Sequence, residues 1–156
     1  TWANDERVTR FLTWVPHESP ELTKQLLESW CASYENPNYY NWVIELEGKI
    51  IGNVSAVRID DNSEMAIIGY CMAKDFWNKG IMTEAVKAIV DFLYSEVGVN
   101  HIEISHAVKN PGSGRVAQKC GFTYEGTKKE FFKSNDGEFL DISYYGLIKS
   151  DWLKKK

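Results

Sequence analysis

The stretch Asp75-Phe76-Trp77-Asn78-Lys79-Gly80-Ile81-Met82-Thr83-Glu84 decides the fold, because it joins an apolar strand to an amphipathic helix. The strand runs from Glu64 to Met72, and a second strand follows the helix at His101 to Val108. This order predicts a βαβ unit whose helical crossover makes the two strands parallel. The first amides of a helix have no backbone partners and carry the positive end of its dipole. The loop is therefore suited to bind an anion such as phosphate.

The helix after this loop has one apolar face. Its apolar residues recur at offsets of three, four, seven, eight and eleven, which is helical spacing. They are Met82, Ala85, Val86, Ile89, Val90 and Leu93. Gly98 ends the segment.

Two helices are predicted near the start of the chain. Ser19-Pro20-Glu21 combines a hydroxyl N-cap, a proline at the first helical position and an acid in the first turn, and Asn36-Pro37 closes that segment. Asn4-Asp5-Glu6 is suited to cap a shorter helix over Arg7 to Leu12. Both helices are expected to cover one face of a sheet.

The remaining patterns are those of strands. Residues 41–72 predict an antiparallel three-strand meander, with turns at 47–49 and 60–63. A short helix is expected from Ser113 to Lys119, followed by Gly121. Two final strands, 122–132 and 139–148, flank a hairpin turn at 134–137. Residues 154–156 form a lysine tail that we expect to be solvated.

Length and composition predict one folded domain over residues 1–156. Apolar residues make up 44% of the chain and aromatic residues 13%, which is typical of a globular protein. No run approaches the roughly 20 apolar residues of a membrane span, so no membrane partner is expected. The net charge of −4 argues against a nucleic-acid-binding protein.

The three cysteines, Cys31, Cys71 and Cys120, are widely spaced and include no CxxC pair. A disulfide framework and a zinc site are therefore not expected, and no other metal site is predicted. The default compartment is a reducing cytoplasm.

Four separated motifs, in order, resemble the GNAT superfamily of N-acetyltransferases. The central loop is similar to the superfamily's pyrophosphate-binding turn, with Trp77 at the Gln or Arg position, Gly80 at the glycine and Met82 at the final Gly or Ala. Trp77-Asn78-Lys79-Gly80 followed by Thr83-Glu84-Ala85 resembles the branch that acetylates the N-termini of ribosomal proteins. The other matching stretches are Ile68-Gly69-Tyr70, Asn110-Pro111-Gly112-Ser113 and Lys119-Cys120-Gly121-Phe122.

The resemblance implies an α/β (α+β) fold of the GNAT type. Its sheet is mixed and mostly antiparallel, with one central parallel pair, and helices cover both faces. The two parallel strands splay apart in this family, and the pantetheine arm of acetyl-CoA fills the gap. The family's usual first strand and helix have no counterpart ahead of Thr1. The strand containing Trp42 is therefore expected to form an unpaired edge.

The resemblance also implies acetyl-CoA as the acetyl donor, with no metal. On this basis the backbone of the strand end bonds the pantetheine arm, the loop amides and Lys79 hold the pyrophosphate, and residues after the second strand contact the rest of the molecule. These residues are Tyr70, Cys71, Met72, Trp77, Asn78, Lys79, Gly80, Ile81, Met82, Thr83, Asn110, Ser113 and Arg115, with Lys119 beside them. Ordinary alternatives exist: a core strand end containing an inert Cys71, a tight turn at 110–113, and an exposed helix face at Arg115 and Lys119.

Catalytic roles follow less directly from the resemblance. Many relatives carry a tyrosine where this chain has Ala117, so Ser113 is the remaining candidate for the acid that protonates the departing thiolate. Glu103, His106 and Glu64 are three candidates for the general base that deprotonates the amine. A paired or solvated role is the alternative for each of them.

The resemblance predicts acetyl transfer to a primary amine by direct attack in a ternary complex. The expected acceptor is a protein or peptide N-terminus, such as that of a ribosomal protein. Alternatives are a small amine (a polyamine, amino acid or aminoglycoside) and an acyl-CoA sensor without activity. The assembly is expected to be a monomer or homodimer. Aromatic residues that could line the acceptor pocket are Trp14, Trp30, Tyr34, Tyr39 and Tyr40.

Overall fold

A computed structural model describes residues 2–156, so Thr1, where the predicted domain begins, lies outside the described residues. Six strands form one sheet in the order β1-β2-β3-β4-β6-β5. The strands are β1 (Tyr40–Leu46), β2 (Lys49–Asp60), β3 (Met65–Met72), β4 (His101–Ala107), β5 (Thr123–Lys133) and β6 (Phe139–Ile148). The helices are α1 (Glu6–Thr9), α2 (Pro20–Ser33), α3 (Ile81–Phe92), α4 (Pro111–Lys119) and α5 (Lys149–Leu153).

The pairing confirms the predicted meander and the predicted parallel pair. The neighbours β1–β2 and β2–β3 are antiparallel, β3–β4 is parallel, and β4–β6 and β5–β6 are antiparallel. The strand that contains Trp42 is β1, and it lies at one edge of this sheet, as expected.

The main core lies between one sheet face and the helices α3 and α4. Alternate residues of the central strands, such as Ile68 in β3 and Ile104 in β4, pack against the predicted apolar face of α3. Leu93 and Tyr94 at the end of α3 are fully enclosed, and the Tyr94 hydroxyl donates to the Leu147 carbonyl of β6 at 2.5 Å. These contacts fix the position of α3 on the sheet.

The opposite sheet face has a smaller core and is covered by the N-terminal part of the chain. Ala107, Leu140 and Ile142 form this core, and Phe11 packs against it. Trp30 of α2 reaches a cavity that side chains from the same face line. Helices therefore lie on both faces of the sheet.

Two predicted helix boundaries were wrong, one of them where a tertiary hydrogen bond intervenes. Helix α1 ends at Thr9 rather than Leu12, because the Thr9 carbonyl accepts hydrogen bonds from the Leu12 amide at 2.9 Å and from Asn135 Nδ2 at 3.1 Å. Helix α4 begins at Pro111 rather than Ser113, with the proline in its first turn. The short helix α5 was not predicted.

The end of α3 also differs from the regular helix that its periodicity predicts. A π-helical turn, Leu93–Val97, follows Phe92, and Gly98 then ends the segment with a φ of 84° and an amide that bonds to the Leu93 carbonyl. None of the helices within residues 2–156 combines the length and the hydropathy that a membrane crossing requires.

We expect the substitution Leu93→Ala to lower the free energy of unfolding by about 2–5 kcal/mol, because it removes a wholly buried side chain and leaves a cavity. Leu153→Ala is the matched control, since this leucine is 58% exposed, and it should change the same quantity by about 0.5 kcal/mol or less. Equilibrium unfolding in urea measures both. Equal effects of the two substitutions would show that the core is placed wrongly.

Candidate active site

The two parallel strands pair over a short length and then separate. Residue pairs join β3 to β4 only at Met65–His101, Ala66–Ile102 and Ile67–Glu103. Beyond them β3 stays paired with β2 as far as Met72, and β4 stays paired with β6 as far as Ala107. The sheet thus opens at the carboxyl ends of its parallel strands, where ligands of α/β sheets bind. The backbone of Tyr70–Met72 has no partner from β4.

A first cavity of about 500 Å³ lies at this opening, on the side of α3 and α4. The sequence motifs quoted above form most of its wall. Its lining includes Tyr70, Cys71 and Met72 of β3, Trp77, Asn78, Gly80, Met82 and Thr83 of the loop and α3, and Asn110, Ser113, Arg115 and Lys119 around α4. Within residues 2–156, Lys79 and Ile81 do not line this cavity.

Two residues in the left-handed backbone conformation and one side-chain hydrogen bond fix the shape of the loop before α3. Asn78 has a φ of 60° and Gly80 a φ of 83°, and the Trp77 Nε1 donates to the Met72 carbonyl at 2.7 Å. The indole thus ties the loop back to the end of β3. A Cβ on Gly80 would meet no protein atom within 4 Å, so glycine is required there by the backbone angle and not by crowding within the protein.

The start of α3 has no side-chain cap. Its N-cap residue is Gly80, and the first intrahelical bond runs from the Glu84 amide to the Gly80 carbonyl. The amides of Ile81, Met82 and Thr83 precede this bond and carry the positive end of the helix dipole. Met82 packs in the main core and also belongs to the lining of the first cavity.

Five cationic side chains line the first cavity: Arg7, Arg10, Lys109, Arg115 and Lys119. Three of them are paired. Arg7 bonds Asp5 at 2.6 Å and lowers the pKa of that carboxyl to about 2, Arg10 lies 3.3 Å from Asp136, and Lys109 bonds Glu138. Arg115 and Lys119, one turn apart on α4, have no ion pair within residues 2–156. Their charge is free to meet an anion.

A second cavity of about 380 Å³ lies on the other side of the opening. The two cavities share six lining residues, so they meet at one place between the separated strands. The shared residues are Phe11, Leu12, Tyr70, Cys71, Asn110 and Ser113.

At this meeting point the Tyr70 hydroxyl contacts Ser113 twice, with 2.8 Å to the Oγ and 3.1 Å to the backbone carbonyl. A phenol has one proton, so it donates either to the carbonyl or to the Oγ. Donation to the Oγ leaves the Ser113 proton free for a third group. Burial raises the pKa of Tyr70 well above its usual range, which keeps the phenol protonated.

Cys71 lies beside this pair but is held as a thiol. Its Sγ donates to the Asn53 Oδ1 at 2.8 Å, and Asn53 Nδ2 in turn donates to the Asn41 Oδ1 at 3.2 Å. Burial raises the pKa of Cys71 to about 12, so a thiolate nucleophile is disfavoured at neutral pH.

Of the three predicted base candidates, only His106 is among the residues that line a cavity, the second one. The His106 Nδ1 bonds the Ala107 carbonyl at 2.7 Å, and its buried Nε2 faces Gly114 of α4, where an added Cβ would lie 2.6 Å away. Neither ring nitrogen is therefore available to an amine. Glu103 and Glu64 are not among the residues that line either cavity. Glu103 belongs to the paired part of β4, and Glu64 precedes β3 in a left-handed conformation.

Aromatic residues predicted for the acceptor pocket divide into two groups. Trp14 and Trp30 line the second cavity. Tyr34, Tyr39 and Tyr40 do not: Tyr34 and Tyr39 contact each other edge to face, and Tyr40 packs on the main core. Sequence reasoning missed Phe131, Phe132 and Tyr144, which also line it. The sequence did contain a signal for two of them, since Phe131 and Phe132 are adjacent and lie just before the predicted hairpin turn.

The N-terminal segment over both cavities is held by the turn between β5 and β6. Asn135 Nδ2 donates to the Thr9 carbonyl at 3.1 Å and to the Trp14 carbonyl at 2.9 Å. These two bonds bracket Phe11 and Leu12, which belong to both cavity walls. Within residues 2–156, no three His, Cys, Asp or Glu side chains come together as possible metal ligands.

Comparison with known proteins supplies relatives across nearly the whole chain. The putative ribosomal N-acetyltransferase YdaF of Bacillus subtilis (strain 168) is 28% identical over 155 residues, which cover 98% of this chain and 84% of that protein. The ribosomal-protein-serine acetyltransferase of Escherichia coli (strain K12) is 27% identical over 131 residues, covering 84% of this chain and 73% of that protein.

A solved structure agrees with these relatives. The microcin C7 self-immunity acetyltransferase MccE, in complex with acetyl-CoA and AMP, matches with a TM-score of 0.76 and 29% identity over 84% of this chain and 72% of that one. The family model described as the acetyltransferase (GNAT) domain matches residues 1–123. The chain therefore belongs to the GNAT family of N-acetyltransferases.

Proposed function

We propose that this enzyme transfers the acetyl group of acetyl-CoA to the α-amine of a protein or peptide N-terminus. The observation that carries the proposal is the meeting of two unlike cavities at Tyr70 and Ser113. Cations and helix amides line the first, whereas no Asp, Glu, Lys or Arg of residues 2–156 lines the second. Two relatives named as acetyltransferases of ribosomal proteins support the choice of acceptor. Three free thiols suit a reducing cytoplasm as the compartment.

In this proposal acetyl-CoA occupies the first cavity. The pyrophosphate binds the amides from Asn78 to Thr83, including those of Ile81 and Met82, and Lys79 adds charge at the loop. Arg115 and Lys119 meet a further phosphate. The pantetheine arm pairs with the open backbone of Tyr70, Cys71 and Met72 and passes Asn110, so that the thioester lies near Ser113. Holding the thioester and the amine side by side supplies much of the rate.

The choice of an α-amine follows from the absence of a base. No Asp or Glu within residues 2–156 lines the second cavity, and both His106 nitrogens are occupied or enclosed. The amine must then enter in its neutral form. At pH 7.4 about a quarter of α-amines with a pKa near 7.9 are neutral, compared with about 0.1% of lysine side chains. An N-terminal amine is therefore the better acceptor.

The step itself uses Ser113 as the acid. The amine nitrogen attacks the thioester carbonyl, the C–S bond breaks, and the proton of the Ser113 hydroxyl passes to the leaving sulfur. The Tyr70 hydroxyl, 2.8 Å away, donates to the Ser113 Oγ as that proton leaves. Tyr70 thus positions the serine proton. The amine, which enters in its neutral form, releases one proton to water as the amide forms. Water then returns a proton to Ser113, so the serine hydroxyl is regenerated.

We expect Gly80→Leu to weaken acetyl-CoA binding by roughly tenfold or more, because its side chain would extend from the loop into the space assigned to the ligand. Gly48→Leu is the matched control: Gly48 has a φ of 77°, also has no atom within 4 Å of a built Cβ, and lines neither cavity. Both variants should lose a similar stability of about 1–3 kcal/mol from backbone strain. Titration calorimetry and thermal melting measure the two effects. Unchanged affinity in a folded Gly80→Leu protein would refute the loop assignment.

A peptide with a free α-amine and an internal lysine tests the acceptor. We expect acetylation at the α-amine, with kcat/KM rising with pH and levelling near the pKa of that amine, since only the neutral form reacts. Mass spectrometry locates the acetyl group, and thiol release gives the rate; spermidine is the comparison substrate. A faster reaction at lysine or spermidine would contradict the proposal. Tight binding of acetyl-CoA with no thiol release would indicate a sensor.

Substitutions at Ser113 and Tyr70 test the acid. Ser113→Ala should lower kcat by about 10²-fold or more, whereas Tyr70→Phe should lower it less, both with little change in the KM for acetyl-CoA. Because the two hydroxyls act as one unit, the double variant should be no slower than Ser113→Ala. Tyr124→Phe, at an exposed tyrosine that bonds Thr127, is the control. Effects that multiply in the double variant would show that the hydroxyls act separately.

A further inference from the structure

The second cavity has a wall rich in aromatic side chains. No Asp, Glu, Lys or Arg is among its lining residues in the described part of the chain. Phenyl, phenol and indole rings come from five different segments: Phe11, Trp14, Trp30, Tyr70, Phe131, Phe132 and Tyr144. His106 of β4 also lines this cavity. Such a wall stabilises an apolar group by burial and offers nothing to pair a buried charge.

Several polar groups in this wall already have partners within the protein, including the His106 Nδ1, which bonds the Ala107 carbonyl. Asn53 is only 8% exposed and bonds both Cys71 and Asn41. Two carboxylates of the turn between β5 and β6 are paired with cations, Asp136 with Arg10 and Glu138 with Lys109, and Asp141 of β6 accepts from the Glu130 amide. A second ammonium group on the acceptor would therefore lose its water without gaining an anion.

A positive charge lies over two of the cavity's aromatic rings. Lys128 Nζ lies 4.6 Å from the centre of the Phe131 ring and 4.4 Å from that of Tyr144. This cation would repel a cationic acceptor and strengthens the bias against one.

The shape of the wall near β5 depends on a bulge. Glu130 has a φ of 49°, its amide donates to the Asp141 Oδ1 at 2.8 Å, and the register of β5 on β6 shifts between Lys128 and Phe132. A bulge of this kind redirects neighbouring side chains, and bulges are frequent next to active sites. Here both neighbouring phenylalanines line the cavity.

We propose that the second cavity selects an acceptor whose first residue is apolar, best of all aromatic, and rejects one with a second positive charge beside the α-amine. This inference rests on the proposed function, and it names the side chain that the acceptor site takes. At about 380 Å³ the cavity lies at the low end of the roughly 300–1,000 Å³ range of small-ligand sites. It therefore receives one residue, and the remainder of the peptide stays outside.

Peptides that differ only in their first residue test this preference on the unaltered enzyme. Norleucine and lysine form the matched pair, because they share a linear side chain and differ chiefly in the terminal ammonium group. We expect kcat/KM for norleucine to exceed that for lysine by roughly tenfold or more, and phenylalanine to exceed alanine by a similar factor. Equal kcat/KM values across the panel would overturn the inference and leave α-amine acetylation standing. No acetylation of any peptide by enzyme that binds acetyl-CoA would overturn both.

A carboxylate placed in the wall should reverse the discrimination. Ser105 lies on the β4 face that lines the cavity and has no role in the proposed chemistry. Ser105→Asp should reduce the norleucine-to-lysine ratio by roughly fivefold or more, since the new anion pairs with the lysine ammonium. Ser105→Asn, of the same shape without the charge, should leave the ratio unchanged. If Ser105→Asp and Ser105→Asn gave the same norleucine-to-lysine ratio while both bound acetyl-CoA as tightly as the wild type, the acceptor side chain would not enter this cavity.

Discussion

The short parallel pairing of β3 with β4 is the constraint on which the site depends. Three residue pairs hold the strands together at Met65–Ile67, and each strand is then committed to a different outer neighbour. The gap that results exposes the β3 backbone from Tyr70 to Met72 and provides the boundary between the two cavities. Across this gap α4 is tied to β3 by the Tyr70–Ser113 hydroxyl contact, and His106 packs its ring edge against Gly114. Side-chain contacts thus connect the two sides of the gap, where no backbone pairing joins β3 to β4.

The two cavities differ in charge, and this difference gives each a chemical task. Arg115 and Lys119, which form no ion pair within residues 2–156, and the uncapped start of α3 favour a polyanion in the first cavity. In the second cavity no Asp, Glu, Lys or Arg of residues 2–156 is among the lining residues, which agrees with the proposed acceptor that reacts as a neutral amine. The proposed mechanism therefore needs few protein groups: a serine proton, a tyrosine that orients it, and the close approach of two reactants.

Much of this architecture could be predicted from local patterns. The helical stripe from Met82 to Leu93, Gly80 at the loop and the hairpin turn at 134–137 each express a backbone or burial requirement within a few residues. The family motifs predicted that acetyl-CoA is the donor and that the two parallel strands separate. The observed start of α4 and the observed end of α1 differ from the predicted positions by two and three residues. Helix α1 ends early because Asn135 bonds the Thr9 carbonyl, which a longer helix would have used.

The missed features join residues that are distant in sequence. Tyr70 and Ser113 are 43 positions apart, and nothing in either neighbourhood indicates that their hydroxyls touch. His106 shares the helix-facing side of β4 with Ile102 and Ile104, so its ring packs on α4, although its residue type suggested a base. The bulge at Glu130 likewise depends on a bond to Asp141 on the adjacent strand.

A crystal structure of this protein with coenzyme A bound tests the central claim most directly. The account predicts the pyrophosphate at the amides of residues 78–83, the pantetheine arm between β3 and β4, and the sulfur within hydrogen-bond reach of the Ser113 hydroxyl. Coenzyme A bound elsewhere on the surface, or a sulfur remote from Ser113 with the strands closed over the gap, would contradict it.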